Sequence, residues 1–148
     1  MSWLASWCAM LALLLGQGCG DAAAPYATGF DPAAPPTEAP LGTVTSSGTA
    51  SWTVSVWTAP APPRKGVIQV LLRVNDAGGA PVDGLQVHVI PWMPAHGHGG
   101  SRVAPVTPQG DGWYLVAPVY LYMSGVWELR TSFEGFSEDG VVPVLDVP

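Results

Sequence analysis

The chain falls into three stretches that differ in the spacing of their apolar residues. Trp3 to Leu15 is apolar except for Ser6. At about a dozen residues the run falls short of the roughly 20 needed to span a bilayer, and it fits the core of a secretory signal. From Gly20 to about Gly48 no periodicity is visible, only Ala, Pro, Gly, Thr and Ser around Asp21, Asp31 and Glu38. Beyond Thr49 the alternation of a half-buried strand takes over. Trp52 to Trp57 alternates with period two, and Val67 to Val74 sets Ile68, Val70, Leu72 and Val74 against Gln69 and Arg73.

Further segments of the same kind are Leu85 to Ile90, Arg102 to Thr107, Trp113 to Ala117, Val126 to Phe133 and Val141 to Val147. Asn75 to Gly79 and Gly110-Asp111-Gly112 read as tight turns. Pro60, Pro62 and Pro63 mark the crossing between the first two strands. Pro118 and Pro143 are expected at edges or bulges, where a missing amide hydrogen does no harm. No window carries a helical stripe. About seven short strands at this spacing predict an all-β fold, an immunoglobulin-like antiparallel sandwich. Trp127 is expected in its core.

The domain organisation follows. Residues 1–18 read as a lipoprotein-type signal peptide, and Cys19 stands where such a chain is cut and acylated. It resembles a lipobox with two departures: Gly16 stands three before the cysteine, and no Lys or Arg precedes the apolar run. Residues 19–48 read as a flexible Ala/Pro/Gly-rich linker, too poor in apolar surface to offset the entropy of ordering it. Residues 49–148, roughly 100 and so enough for one core, form the folded domain. The expected location is the bacterial cell envelope, lipid-anchored and facing the periplasm or the exterior. Cys8 and Cys19 are the only cysteines, so the domain has no disulfide to rely on.

Charge excludes more than it identifies. A formal net charge of −6 with five basic residues argues against nucleic acid, whose phosphates need clustered Lys and Arg. No motif sets a Ser, Thr or Cys beside a histidine and an orienting carboxylate, so no enzyme is expected.

The candidate chemistry lies in Met93-Pro94-Ala95-His96-Gly97-His98-Gly99-Gly100. On an extended chain His96 and His98 point the same way and reach one ion. Met93 supplies a thioether on one side, and Met123, preceding a strand as Met93 follows one, is the best partner from elsewhere. Imidazole with thioether suits Cu(I), and imidazole alone accepts Cu(II) or Zn(II). The absence of a thiolate or carboxylate cluster argues against structural zinc and calcium. Packing of the two methionines under a bare Gly/His loop is the alternative. His88, alternating with Gln86 and Ile90, is expected on a strand surface.

Asn75 to Gly84, Val87 to Gly99, Gly110 to Tyr114 and Met123 to Leu129 together resemble the YtkA-like domain, related to FixH. The resemblance covers about Ala59 to Phe133. It implies a small exported or membrane-tethered sandwich linked to copper handling and to assembly of haem–copper oxidases. The family loop reads Met-Pro-x-Met-x-His-Gly with a later Met-x-Gly-x-Trp. This chain keeps Met93, Pro94, His98, Gly99, Met123, Gly125 and Trp127, while His96 replaces the usual methionine. That shifts the implied ligand set, Met93, His96, His98 and Met123, from sulfur towards nitrogen. The expected function is an envelope-anchored copper carrier or buffer, its partner a copper-receiving oxidase or assembly factor. The alternative is a metal-free interaction module tethered to the membrane.

Overall fold

The computed structural model describes residues 29–31, 34–100 and 102–148. The expected signal peptide and the expected acylation site at Cys19 lie outside the described residues.

Among the described residues nine strands form two antiparallel sheets: β1 (Gly42–Thr45), β2 (Thr53–Ala59), β3 (Gly66–Asn75), β4 (Val87–Met93), β5 (His98–Gly99), β6 (Val106–Gly110), β7 (Trp113–Leu121), β8 (Gly125–Phe133) and β9 (Val144–Val147). One sheet has the order β1-β2-β3-β7-β6 and the other β5-β4-β8-β9. Set aside β1 and the two-residue β5, and seven strands remain in the four-plus-three arrangement of an immunoglobulin constant-type sandwich. The only helical pieces among the described residues are two 3₁₀ turns, Pro94–His96 and Ser137–Asp139.

The alternation read in the sequence places the core. Val54 and Val56 from β2, with Ile68, Val70, Leu72 and Val74 from β3, face Val87, Val89, Leu129, Phe133 and Leu145 of the opposite sheet. Trp127 is buried among them, as expected of it. Tyr114 is the largest fully buried side chain; its hydroxyl donates to the Val82 carbonyl at 2.8 Å and accepts from Leu85 N–H at 3.2 Å. Burial pushes that phenol above its ordinary pKa, with a further push from the Asp83 carboxylate, against a pull down from the Leu85 hydrogen bond.

Both prolines lie where a missing donor is harmless. In the β3–β7 ladder Ile68 pairs with Val119 and Val70 with Val116, so Gln69 alone faces Ala117 and Pro118. That is a bulge, and it carries Pro118 inside an interior strand. Pro143 precedes the edge strand β9 and accepts from Leu129 N–H with its carbonyl.

Three expectations shift. β4 runs on through Pro91 to Met93. The strand expected from Arg102 begins only at Val106, because residues 102–105 cross between the sheets, Ala104 bridging Val89 and Pro105 accepting from Ala117 N–H. The third concerns the stretch read as linker, whose last part belongs to the sandwich. Gly42–Thr45 pairs with β2 as β1, and residues before it lie over the outer face of the five-stranded sheet. Phe30 N–H donates to Gln69 Oε1 at 3.0 Å, and Trp57 Nε1 donates to the Glu38 carbonyl at 2.9 Å. Phe30, Ala34 and Pro35 roof a cavity of about 180 Å³ floored by Leu71, Trp113 and Leu115.

At the opposite end from β4's exit, Asp139 is only 1% exposed. Its carboxylate accepts from Ser46 Oγ–H (2.8 Å), Ala50 N–H (3.1 Å) and Ser51 N–H (3.2 Å), while Ser46 Oγ accepts from Trp52 N–H. One carboxylate thereby fixes the connection between β1 and β2.

Candidate metal-binding loop

Pro94 opens a 3₁₀ turn directly after β4, its fixed φ suited to the first helical position. Gly97 closes the turn in the left-handed region at φ 66°, and its N–H donates to the Met93 carbonyl at 3.0 Å. A side chain at that φ would be strained, which accounts for the glycine between the two histidines. The chain then doubles back as β5, pairing His98 with Met93 and Gly99 with Trp92, and Gly100 N–H donates to the Pro91 carbonyl at 2.8 Å.

His96 and His98 therefore meet across a tight turn, not along an extended strand. The correction follows from Pro94 and Gly97, which bend the segment. The outcome for the rings is the neighbourhood expected: their centroids lie 5.7 Å apart with planes at 54°, and both side chains are exposed. His98 Nδ1 lies 3.1 Å from the Gly99 carbonyl oxygen. A carbonyl only accepts, so Nδ1 donates in that bond, and in the tautomer this selects Nε2 is the nitrogen with the lone pair.

The two methionines sit at the same end of the sandwich in different surroundings. Met93 is 2% exposed and belongs to the core. Its Cε lies 2.9 Å from where a Cβ on Gly125 would stand, so Gly125, at φ +121°, leaves the room that the thioether fills. Met123 is half-buried at the rim of the core, and its carbonyl accepts from Trp127 Nε1 at 3.0 Å. Among the described residues no three of His, Cys, Asp and Glu gather into one group. Of the soft donors that suit copper, the thioethers of Met93 and Met123 are those at this end of the sandwich.

His88 is exposed on the outer face of its sheet, paired with Ser132 five residues before the strand's end, and takes no part in the loop. Two aromatic neighbours of the loop stand outside the Met/His motif. Trp92 lies under Gly99 and holds the Arg130 guanidinium 4.2 Å from its ring, with Arg130 Nε bound to Glu128 Oε2 at 2.9 Å. Arg102 stands over Tyr120 at 5.8 Å, and Tyr120 lies 5.8 Å from Tyr122. An aromatic residue repeated at i, i+2 was the available signal.

No curated protein sequence matches the chain. Among solved structures, the Lin-41 filamin domain is similar with a TM-score of 0.46 and 15% identity, covering 71% of this chain and 98% of that one. The family model described as YtkA-like matches residues 47–132, from the β1–β2 connection to the end of β8, and the chain belongs to the YtkA-like family.

Proposed function

We propose that the protein is an envelope-anchored copper carrier or buffer, holding one ion in the loop that follows β4. His96 and His98 supply the imidazoles, and Met123, half-buried at the same end of the sandwich, supplies the thioether. Met93, packed in the core, supports the loop from beneath. The observation that carries the reading is the paired rings. Two imidazoles sharing an ion at roughly 2.0–2.1 Å have centroids roughly 5–6 Å apart at tetrahedral to trigonal angles, close to the separation described above. The Nδ1–H bond of His98 to a backbone carbonyl is the kind of outer support that metal-bound histidines use to present Nε2.

Two nitrogens and one sulfur accept either oxidation state of copper, with less preference for Cu(I) than an all-sulfur set. An exposed loop with few ligands favours exchange over storage. The receiving partner in this reading is a haem–copper oxidase or its assembly factor. Attachment is through acylated Cys19, which keeps the domain at the membrane surface.

The test is titration of the protein with Cu(I) against a competing chromophoric chelator, repeated with Cu(II) and Zn(II). We expect one equivalent of copper, and a loss of affinity of about tenfold or more in His98→Ala and in Met123→Ala, with an unchanged far-ultraviolet spectrum. Unchanged affinity in both variants removes the site. A second reading, a metal-free interaction module, draws on the burial of Met93, which packing alone explains. Competition for none of the three ions would favour it.

A further inference from the structure

The loops at the histidine end share a charge that the whole chain does not have. Three connections meet there: β2 to β3 (residues 60–65), β4 to β6 (residues 94–105) and β7 to β8 (residues 122–124). The ladders hold them together, since Gly66 pairs with Leu121 and Met93 with His98, and the Met93 side chain reaches Gly125. None of the three contains Asp or Glu, yet they carry Arg64, Lys65 and Arg102, three of the five basic residues of a chain with net charge −6. The opposite end gathers Asp76, Asp83, Asp111, Glu134 and Glu138 besides the buried Asp139. Asp146, opposite Val126 on β9, is the nearest strand carboxylate to the basic end.

These cations are available. All three are exposed, and the one salt bridge among the described residues joins Glu128 and Arg130. Arg102 is held against Tyr120, which lowers the entropy it would lose on docking. Two exposed apolar side chains flank it, Tyr122 at 61% and Val103 at 71%. Arginine and tyrosine beside an exposed aliphatic is the composition of a contact centre, and a small basic end on an acidic body orients an approaching anion.

We infer that this end of the sandwich docks an acidic protein surface, with Arg64, Lys65 and Arg102 facing the partner's carboxylates around the histidine loop. The role of such docking rests on the metal-exchange reading above, since it would bring acceptor ligands to His96 and His98. Acidic lipid headgroups are disfavoured, because three cations fall short of the clusters of roughly four to eight that anionic bilayers recruit, whereas the arginine, tyrosine and exposed aliphatic beside them suit a protein contact.

The experiment uses the metal-free ¹⁵N-labelled protein titrated with a hexaglutamate peptide, and separately with phosphatidylglycerol vesicles. We expect saturable shifts at residues 64–66, 98–103 and 122–124, about tenfold weaker binding at physiological than at low salt, and loss of binding in the triple variant R64E/K65E/R102E. Absence of saturable shifts, or shifts unchanged in the triple variant, overturns the proposal. Vesicle binding that needs the three cations, with no peptide binding, also overturns it, in favour of a membrane. Because the peptide is offered without metal, peptide binding without copper binding sinks only the metal reading, and copper binding without peptide binding sinks only this one.

Discussion

Asp139 shows how one residue can hold a region that its local sequence does not reveal. In Phe136-Ser137-Glu138-Asp139-Gly140 it reads as one of two acids in a polar turn. Folding brings it against the β1–β2 connection, 93 residues away in the chain from Ser46, where three donors converge on it. Gly48 is needed beside it, since a Cβ there would stand 2.5 Å from the carboxylate. Removing the acceptor leaves those donors without it, the buried Ser46 hydroxyl above all. Asp139→Ala is therefore expected to cost about 2–4 kcal/mol, and Asp139→Asn less, since one amide oxygen still accepts. Urea unfolding measures both, and an unchanged midpoint in Asp139→Ala would show that water replaces the carboxylate. Met93 teaches the converse. Its proximity to the histidines was legible from spacing, but its burial was not, because that depends on the room left by Gly125 on another strand.

At the scale of elements, alternation located the strands whose two faces differ. β2, β3 and β8 stand almost where the period-two pattern put them, because each presents one row to the core and one outward. β1 was missed for the same physical reason. Only Val44 in Gly42–Thr45 is even half-buried, so the strand is held by backbone pairing to β2 and carries no apolar period. The segment before it was equally hidden, since its proline-rich composition reads as spacer whether or not it lies on a surface. Here the surface is apolar: Leu71, on the outer side of β3, is only 6% exposed, set between Trp57 and Leu115 and facing Phe30, Ala34 and Pro35 across the cavity. A chain starting at Gly42 should therefore be less stable than one starting at Gly29, by about 1–3 kcal/mol for the uncovered Trp57, Leu71 and Trp113. Tryptophan emission should shift to the red in the shorter chain. Equal melting temperatures with equal emission would mean that the segment rests on the sheet without stabilising it.

For the whole molecule, the absence of cysteine beyond residue 19 puts the burden of stability on packing. Many sandwiches of this type tie their sheets with a disulfide against a tryptophan. This one has the tryptophan, Trp127, and fills the space between the sheets with aliphatic side chains such as Leu72, Leu121 and Leu129, together with Tyr114. The buried residues of both sheets form one continuous cluster, so neither sheet keeps its inner face covered once the other leaves. Unfolding is then expected as a single transition, with tryptophan emission and the far-ultraviolet spectrum changing together. A reducing agent should leave the midpoint where it was, since no cross-link within the sandwich exists to be broken. Two separated transitions would show that one sheet, or the segment before β1, melts by itself. A midpoint that falls with reductant would instead reveal a disulfide made by Cys19, and so report that its sulfur is not acylated.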